Sequence, residues 1–302
     1  MTTTTDQTAA PSRLILADSP DTVPVNTVAQ ARVQAVRSAV AQGTGKSGRG
    51  FRKLLATETK VWLRSSDVFW TAFPALLLVV AGLLNEENRM PLQGGPDHMA
   101  YGTPLYGVYA LNAVVPAFIA MAIGMACICV LPSTFGAFRE KGMIKRFSAT
   151  PMSPYGLFAA HYIIVIVMSL AGAALAVGTV AVLVPLYIPQ NIIIVLAGII
   201  IGLLSMLALG SIISALVKTT KSGQMWGNLV FFPLMFVAGV FTPVLPGSLI
   251  YNIGRFTPMG AASQVLWYGW FGGNEGMPWL QLAVMVVWTA VLVPAAVKLF
   301  RW

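Results

Sequence analysis

The sequence predicts an all-α integral membrane protein with six transmembrane helices. Of its 302 residues, 57% are hydrophobic and 10% are charged, and the mean hydropathy is +0.75, which is too apolar for a soluble domain of this length. The apolar residues form runs of about 20, the length that an α-helix needs to cross a bilayer. None of the 19 basic and 10 acidic residues falls inside these runs. We place the six spans at residues 68–84, 105–131, 155–182, 192–216, 225–241 and 279–297.

The basic residues indicate the orientation of these spans. If the N-terminus lies in the cytoplasm, the cytoplasmic segments carry all Lys and Arg residues except Arg89 and Arg255. Such a distribution follows the positive-inside rule, so we expect both termini to be cytoplasmic. It also accounts for the net charge of +9 without nucleic acid, because no base-reading motif accompanies the cations.

The first 48 residues differ from the rest of the chain. They are rich in Thr, Ala, Val, Gln and Pro without a sustained apolar period, which predicts a disordered cytoplasmic arm before a single membrane domain at 49–302. Residues 45–47 read Gly-Lys-Ser like the end of a phosphate-binding loop, but Val40 stands where that loop needs its first glycine. We therefore expect no ATP site in this chain.

Two amphipathic segments are predicted at the inner membrane surface. In residues 50–64 apolar side chains share one face, and Arg52, Lys53 and Lys60 lie on the other. The second, residues 138–154, places four cations within eight positions opposite an apolar face. We call residues 138–154 the basic segment. Its prolines at 151 and 154 should end the helix before the third span.

The basic segment resembles the motif (E/R)-R-x-x-G-x-x-x-R-x-x-x-T-P-x-S of permeases in the ABC-2 type exporter family. In that family the segment lies between the second and third spans and docks on a partner ATPase, and residues 50–64 resemble the family's elbow helix. The resemblance implies that Glu140 and Arg146 make polar contacts with the ATPase, and that Thr150 with Pro151 forms a rigid joint that passes its push to the third span. The full set of implied coupling residues is Arg139, Glu140, Lys141, Gly142, Lys145, Arg146, Thr150 and Pro151.

The segment between the fifth and sixth predicted spans is apolar but broken by proline and glycine. Residues 249–255 and 261–270 are too short to span, so we expect two short helices that dip into the outer leaflet. This part resembles the external re-entrant element of the same family. The residues that carry the likeness are Gly239, Pro243 and Pro258.

The lack of charge inside the spans bears on the energy source. Ion-coupled carriers normally need an intramembrane carboxylate or cation, whereas the spans here contain only His161 as a titratable candidate, and we expect it to be a packing residue. A transporter without coupling ion or nucleotide site must be driven by another polypeptide. The resemblance implies a non-catalytic permease subunit that works with two ATPase copies, which would hold ATP and Mg²⁺, and with a second permease, in a bacterial plasma membrane. We expect no cofactor or metal on this chain.

A substrate path is predicted from soft and aromatic side chains, which suit a large apolar cargo. The candidates are Met121, Met125, Phe231, Phe232 and Phe236. Simple packing or lipid contact is the alternative for all five. The likeness to permeases of the daunorubicin-resistance type implies a hydrophobic drug, an antibiotic or a lipid-like compound as cargo. A polysaccharide or glycolipid exporter and a non-transport membrane scaffold stay open as alternatives.

Overall fold

Eight helices make up the fold of the residues that the structure describes. The computed structural model describes residues 59–60, 67–93, 104–142, 154–241, 248–272 and 277–299, all within the compact unit Arg49–Trp302. The helices are α1 (Asp67–Leu84), α2 (Ala110–Glu140), α3 (Pro154–Leu183), α4 (Ile192–Leu216), α5 (Thr220–Val237), α6 (Leu249–Gly254), α7 (Pro258–Phe271) and α8 (Trp279–Leu299). A 3-10 turn follows α1 at Glu86–Arg89. These ranges contain no strand beyond one bridge between Pro91 and Tyr109, which confirms the all-α prediction.

Within the described ranges, four helices are long and apolar enough to cross a membrane. They are Ala110–Glu140, Phe158–Leu183, Ile192–Leu216 and Trp279–Leu299. The two other predicted spans, α1 and α5, do not belong to this group. α1 is shorter, and the first half of α5 contains Lys221, Gln224 and Asn228, which lower its hydropathy.

Most predicted helices coincide closely with observed ones. The predicted spans 68–84, 155–182, 192–216 and 279–297 match α1, α3, α4 and α8 to within about two residues at each end. The predicted short helices correspond to α6 and α7. α7 begins at Pro258 because Thr257 accepts a hydrogen bond from the Gly260 N–H and proline fits the first helical position.

α5 is displaced from its predicted range of 225–241 and occupies Thr220–Val237. Thr219 and Ser222 cap each other's backbone at its start, a reciprocal arrangement that fixes the first turn despite its polar residues. Gly239, with φ of +81°, terminates the helix in the left-handed conformation that glycine tolerates. Hydropathy alone predicted the wrong limits because capping, which is local hydrogen bonding, sets both ends.

α2 also differs from its prediction, because it continues beyond residue 131. The sequence predicts a separate helix for the basic segment, beginning near Phe138, whereas the helix runs from Ala110 through Glu140 without a break. It ends where Gly142 adopts φ of +62° and its N–H bonds to the carbonyl of Arg139. The first residues of the basic segment are therefore the last turn of α2.

α2 is the central helix of the described fold and contacts α1, α3, α4, α5 and α7. Burial reaches 89% of its most apolar stretch, against 17% for α8, which agrees with the rule that a helix apolar on all sides is enclosed by others. Met121, Ile123 and Ile128 are fully enclosed. The remaining helices pack around it, with α4 lying against α7 and α8 and α3 against α1.

The middle of α2 contains a π-helical segment at Met125–Val130. Pro132 explains part of this widening, because it has no N–H to donate to the carbonyl of Ile128. Two glycines of the neighbouring helices lie against the segment. A Cβ on Gly227 would come 2.6 Å from the carbonyl oxygen of Ile128, and one on Gly210 would overlap the carbonyl of Cys127. α4 and α5 thus approach the backbone of α2 at its widest point.

The outer end of α2 holds the connection between α3 and α4. Asn112 is buried, its Nδ2 donates to the carbonyl of Pro185 at 3.0 Å, and its Oδ1 accepts from the N–H of Tyr187 at 3.1 Å. From the other side, the indole N–H of Trp270 on α7 donates to the Tyr187 carbonyl at 2.8 Å. One buried amide therefore links the start of α2 to a connection more than 70 residues away.

Candidate coupling site and lateral cavity

Arg139, in the last turn of α2, caps the end of α4. Its Nη1 donates to the carbonyl of Ser214 at 2.7 Å and also to the carbonyl of Val217. The last carbonyls of a helix have no partner inside the helix and carry partial negative charge. The guanidinium supplies both a hydrogen bond and the opposite charge at that position, so α2 is fixed to the inner end of α4.

Glu140, the next residue, caps the start of α5. One carboxylate oxygen accepts from the N–H of Thr220 at 3.0 Å and from its hydroxyl at 2.8 Å. Thr220 is the first residue of α5, and its N–H has no partner inside the helix. A carboxylate at this end is stabilised by the partial positive charge of the helix N-terminus.

The environment of Glu140 favours its ionised form. Glu140 is exposed and lies well beyond residue 131, where the predicted span ends. Its pKa is below the ordinary value, chiefly because the Thr220 N–H and then the Thr220 hydroxyl donate to the carboxylate, with a smaller contribution from the cations of Lys141 and Lys221. The carboxylate is therefore charged throughout the neutral pH range.

Close backbone approach reinforces these two caps. A Cβ on Gly136 of α2 would overlap the carbonyl of Thr219, and one on Gly223 of α5 would lie 2.5 Å from the carbonyl oxygen of Pro132. The short connection from Val217 to Thr219 is thus held against α2 by backbone packing as well as by Arg139 and Glu140. We call Arg139, Glu140 and the residues they cap, Ser214, Val217 and Thr220, the inner clamp.

A lateral cavity opens beside the inner clamp, between α1, α2 and α5. Its volume is about 160 Å³, and it is lined by Trp70, Met125, Cys129, Val130, Ser133, Gln224 and Asn228. Gln224 and Asn228 are exposed, one turn apart on α5, and their amides have no hydrogen-bond partner among the described residues. The cavity therefore combines an aromatic and thioether wall with two free amides, as sites for apolar ligands commonly do.

One comparison assigns the chain to a family. Residues 49–271 match the sequence model of the ABC-2 type transporter, a stretch that contains α1 to α7, the inner clamp and the cavity. The chain belongs to the ABC-2 type transporter family. An ABC-2 membrane domain is the permease component of its transporter, is not catalytic by itself, and normally works with an ATPase partner. No curated protein matches the chain.

The predicted coupling residues of the motif and the predicted residues of the elbow helix fall into three groups. Arg139 and Glu140 form the inner clamp, and Lys141 and Gly142 follow them at the end of α2, with the Lys141 side chain exposed. Lys60 of the predicted elbow helix is helical and exposed. Outside the described residues lie Arg52, Lys53, Lys145, Arg146, Thr150 and Pro151.

The structure does not bring the predicted substrate-path residues together. Met121 and Phe231 are enclosed in the core of this ABC-2 domain, and Met125 is nearly so, although it also lines the cavity. Phe232 and Phe236 are 58% and 56% exposed on the outer face of α5. Only Met125 of the five therefore contributes to the lateral cavity.

Trp70, Ser133, Gln224 and Asn228 were missed as cavity residues. The two amides lie four residues apart at the start of α5, a spacing that puts them on one helix face, and that signal was available in the sequence. Hydropathy concealed this signal, because the predicted spans 192–216 and 225–241 place Gln224 in a cytoplasmic connection and Asn228 in a span.

The other predicted residues occupy varied positions. Gly239 follows α5 with positive φ, Pro258 is buried at the start of α7, and Pro243 lies outside the described residues. His161 is buried and meets the rings of Phe135 and Phe138 at 5.9 and 5.6 Å between centroids. Neither of its ring nitrogens has a hydrogen-bond partner in the described part of the chain, and its packing role stays a prediction.

Proposed function

We propose that this chain is the membrane-spanning permease subunit of an ATP-driven exporter that moves a hydrophobic drug, an antibiotic or a lipid-like compound out of the cytoplasm or the inner leaflet. The family match over residues 49–271 carries the permease part of this proposal. The chain would cross the bacterial plasma membrane six times with both termini inside. Two ATPase copies would bind ATP and Mg²⁺, and a second permease copy or a related permease would complete the complex.

The composition of the lateral cavity supports an apolar cargo. Trp70, Met125 and Val130 present indole, thioether and aliphatic surface, and none of the described residues that line it is charged. Soft and aromatic surfaces adapt to ligands of different shape. A sugar polymer would instead need many hydrogen-bond partners, and the described lining offers three polar side chains, those of Ser133, Gln224 and Asn228.

The size and polarity of the cavity support a second permease copy. Pockets for drug-sized ligands have volumes of roughly 300–1,000 Å³, well above the value for this cavity. Exposed amides at membrane depth need hydrogen-bond partners, because lipid tails supply none. A second permease facing Gln224 and Asn228 would enlarge the cavity and enclose both amides, with cargo between them.

The basic segment supports an external energy source. Lys141 is exposed at its start, and its cations face the cytoplasm in the six-span arrangement. An ATPase docked on Lys141, Gly142, Lys145 and Arg146 would move the segment when its two copies close, and Thr150 with Pro151 would form a stiff joint to α3.

The first test is transport by the purified complex. We expect an ATPase to copurify with the tagged chain from the membranes of its natural host, and inside-out vesicles to accumulate doxorubicin only with ATP and Mg²⁺. The double substitution Gln224→Ala with Asn228→Ala should lower accumulation about 5–150-fold, since two hydrogen bonds of about 0.5–1.5 kcal/mol each are lost.

Asn252→Ala on α6 is the matched control, because this exposed asparagine lies outside the cavity lining. Its accumulation should equal that of the unmodified chain. Doxorubicin uptake without any ATPase in the preparation, or uptake abolished by an uncoupler while ATP persists, would contradict the proposed function.

A further inference from the structure

The inner clamp joins two successive charges of opposite sign to two helix ends of opposite polarity. Arg139 meets the carbonyl end of α4, and Glu140 meets the N–H end of α5. Each charge is the one that the dipole of its helix favours. Because the two residues are adjacent, neither contact can change without disturbing the other.

The connection held by the clamp is short, so the ends of α4 and α5 cannot move far apart. α4 ends at Leu216 and α5 begins at Thr220, so only Val217 to Thr219 lie between them. Gly136 packs against the carbonyl of Thr219 inside the same contact area. A displacement of the last turn of α2 would therefore carry the inner ends of α4 and α5 with it.

The clamp also lies between Gly142, where α2 ends, and the lateral cavity. On its far side Gly142 ends α2 within the basic segment. On its near side Thr220, Gln224 and Asn228 follow one another at four-residue spacing on α5, so the capped residue and the two cavity amides share one face. Movement of Thr220 would change the width of the cavity between α2 and α5.

We propose that Arg139 and Glu140 are positioning residues that transmit movement of the basic segment to α4 and α5 through the connection at Val217–Thr219. This inference rests on the proposed function, because it takes the movement from a docked ATPase. It goes beyond the expectation from the resemblance, in which Arg139 and Glu140 belong to the ATPase contact and Thr150 with Pro151 passes the push to the third span. In this proposal, movement of the basic segment reaches both α3 and the cavity.

The test compares hydrogen exchange in the complex that copurifies with the tagged chain, with and without ATP, Mg²⁺ and vanadate. In the unmodified complex, nucleotide should change exchange both in peptides of residues 143–153 and in peptides of residues 217–223. Glu140→Ala, and independently Thr220→Val, should keep the first change, reduce the second by at least half, and lower ATP-dependent doxorubicin accumulation about tenfold. ATPase copurification and basal ATP turnover should stay within twofold of the unmodified complex.

Two variants serve as controls for folding and for simple charge loss. Thr220→Ser keeps the hydroxyl donor and should behave as the unmodified chain. Lys218→Gln removes an exposed cation from the same connection without touching the clamp, and should also leave exchange and transport unchanged.

The outcomes separate this inference from the proposed function. An unmodified preparation without an ATPase would overturn both. If the unmodified complex is active but the Glu140→Ala variant loses its ATPase, Glu140 is a docking residue. If the unmodified complex is active and both Glu140→Ala and Thr220→Val keep the nucleotide-dependent exchange at 217–223, the clamp transmits no movement. Either result would overturn the inference and leave the proposed function standing.

Discussion

At the scale of single residues, polar side chains at the two ends of α2 hold connections that are distant in the sequence. Asn112 fixes the outer connection between α3 and α4, and Arg139 with Glu140 fixes the inner connection between α4 and α5. In each case the side chain satisfies backbone groups that would otherwise lack a partner. A lost contact of this kind costs more than an average hydrogen bond, since a polar backbone group is left unpaired.

Asn112→Leu should reduce the free energy of unfolding by about 1–3 kcal/mol, because the Pro185 carbonyl and the Tyr187 N–H lose their buried partner while the volume stays similar. Denaturant titration of the detergent-solubilised chain, followed by circular dichroism, measures the change. Asn252→Leu, at an exposed position of α6, should change stability by less than about 0.5 kcal/mol. Equal stability of the Asn112 variant would mean that the outer connection does not depend on this amide.

At the scale of helices, the structure depends on close packing between α2 and its neighbours α4 and α5. Glycine stands at several of the contacts, and at Gly223 and Gly227 an added Cβ would lie 2.5 and 2.6 Å from carbonyl oxygens of α2. Small residues at membrane helix interfaces allow this approach, because helices in lipid associate by packing rather than by a hydrophobic driving force. The π segment of α2 lies opposite Gly227, where its widened turn presents the Ile128 carbonyl.

Gly223→Ala and Gly227→Ala should each destabilise the chain by about 1–3 kcal/mol, because the methyl group has rigid backbone rather than a flexible side chain in its way. Gly178→Ala on α3 is the matched control, since no atom lies within 4 Å of its Cβ position. That variant should be neutral or up to about 1 kcal/mol more stable, as alanine favours a helix over glycine. The test is the denaturation midpoint of each variant. If the midpoint is the same for all three variants, α2 and α5 do not pack closely at these glycines.

At the scale of the whole molecule, the six-span arrangement places the inner clamp in the cytoplasm and Glu87 outside. Lys218, beside the clamp, and Glu87 are both exposed, and they lie on opposite sides of the membrane in the proposed topology. The asymmetry of Lys and Arg supports this orientation.

Cysteine labelling tests the orientation. In a background with Cys127→Ser and Cys129→Ser, Lys218→Cys should react with a membrane-impermeant maleimide only in inside-out vesicles, and Glu87→Cys only in right-side-out vesicles. Permeabilised membranes, in which both must react, control for access. Labelling of Lys218→Cys from the outside would exclude the proposed topology.

The sequence by itself determined the helical class, the positions of most helices and the family. Length and hydropathy of a run, together with proline, glycine and capping residues at its ends, are local properties that one chain segment carries alone. The predicted limits of α2 and α5 were wrong, because hydropathy and capping indicate different ends for these two helices.

Only the tertiary structure decided what the motif residues touch and where the cavity lies. Glu140 and Thr220 are 80 residues apart, and Arg139 and Ser214 are 75 apart. A periodic pattern within one segment of the sequence therefore cannot indicate either pairing. The resemblance predicts that Arg139 and Glu140 contact an ATPase, and that stays a prediction. Only the structure shows that both residues also lie on helix ends of the same chain. The physical reason is that the packing of helices distant in the sequence decides which side chain of the favoured charge reaches the unpaired backbone groups at a helix end.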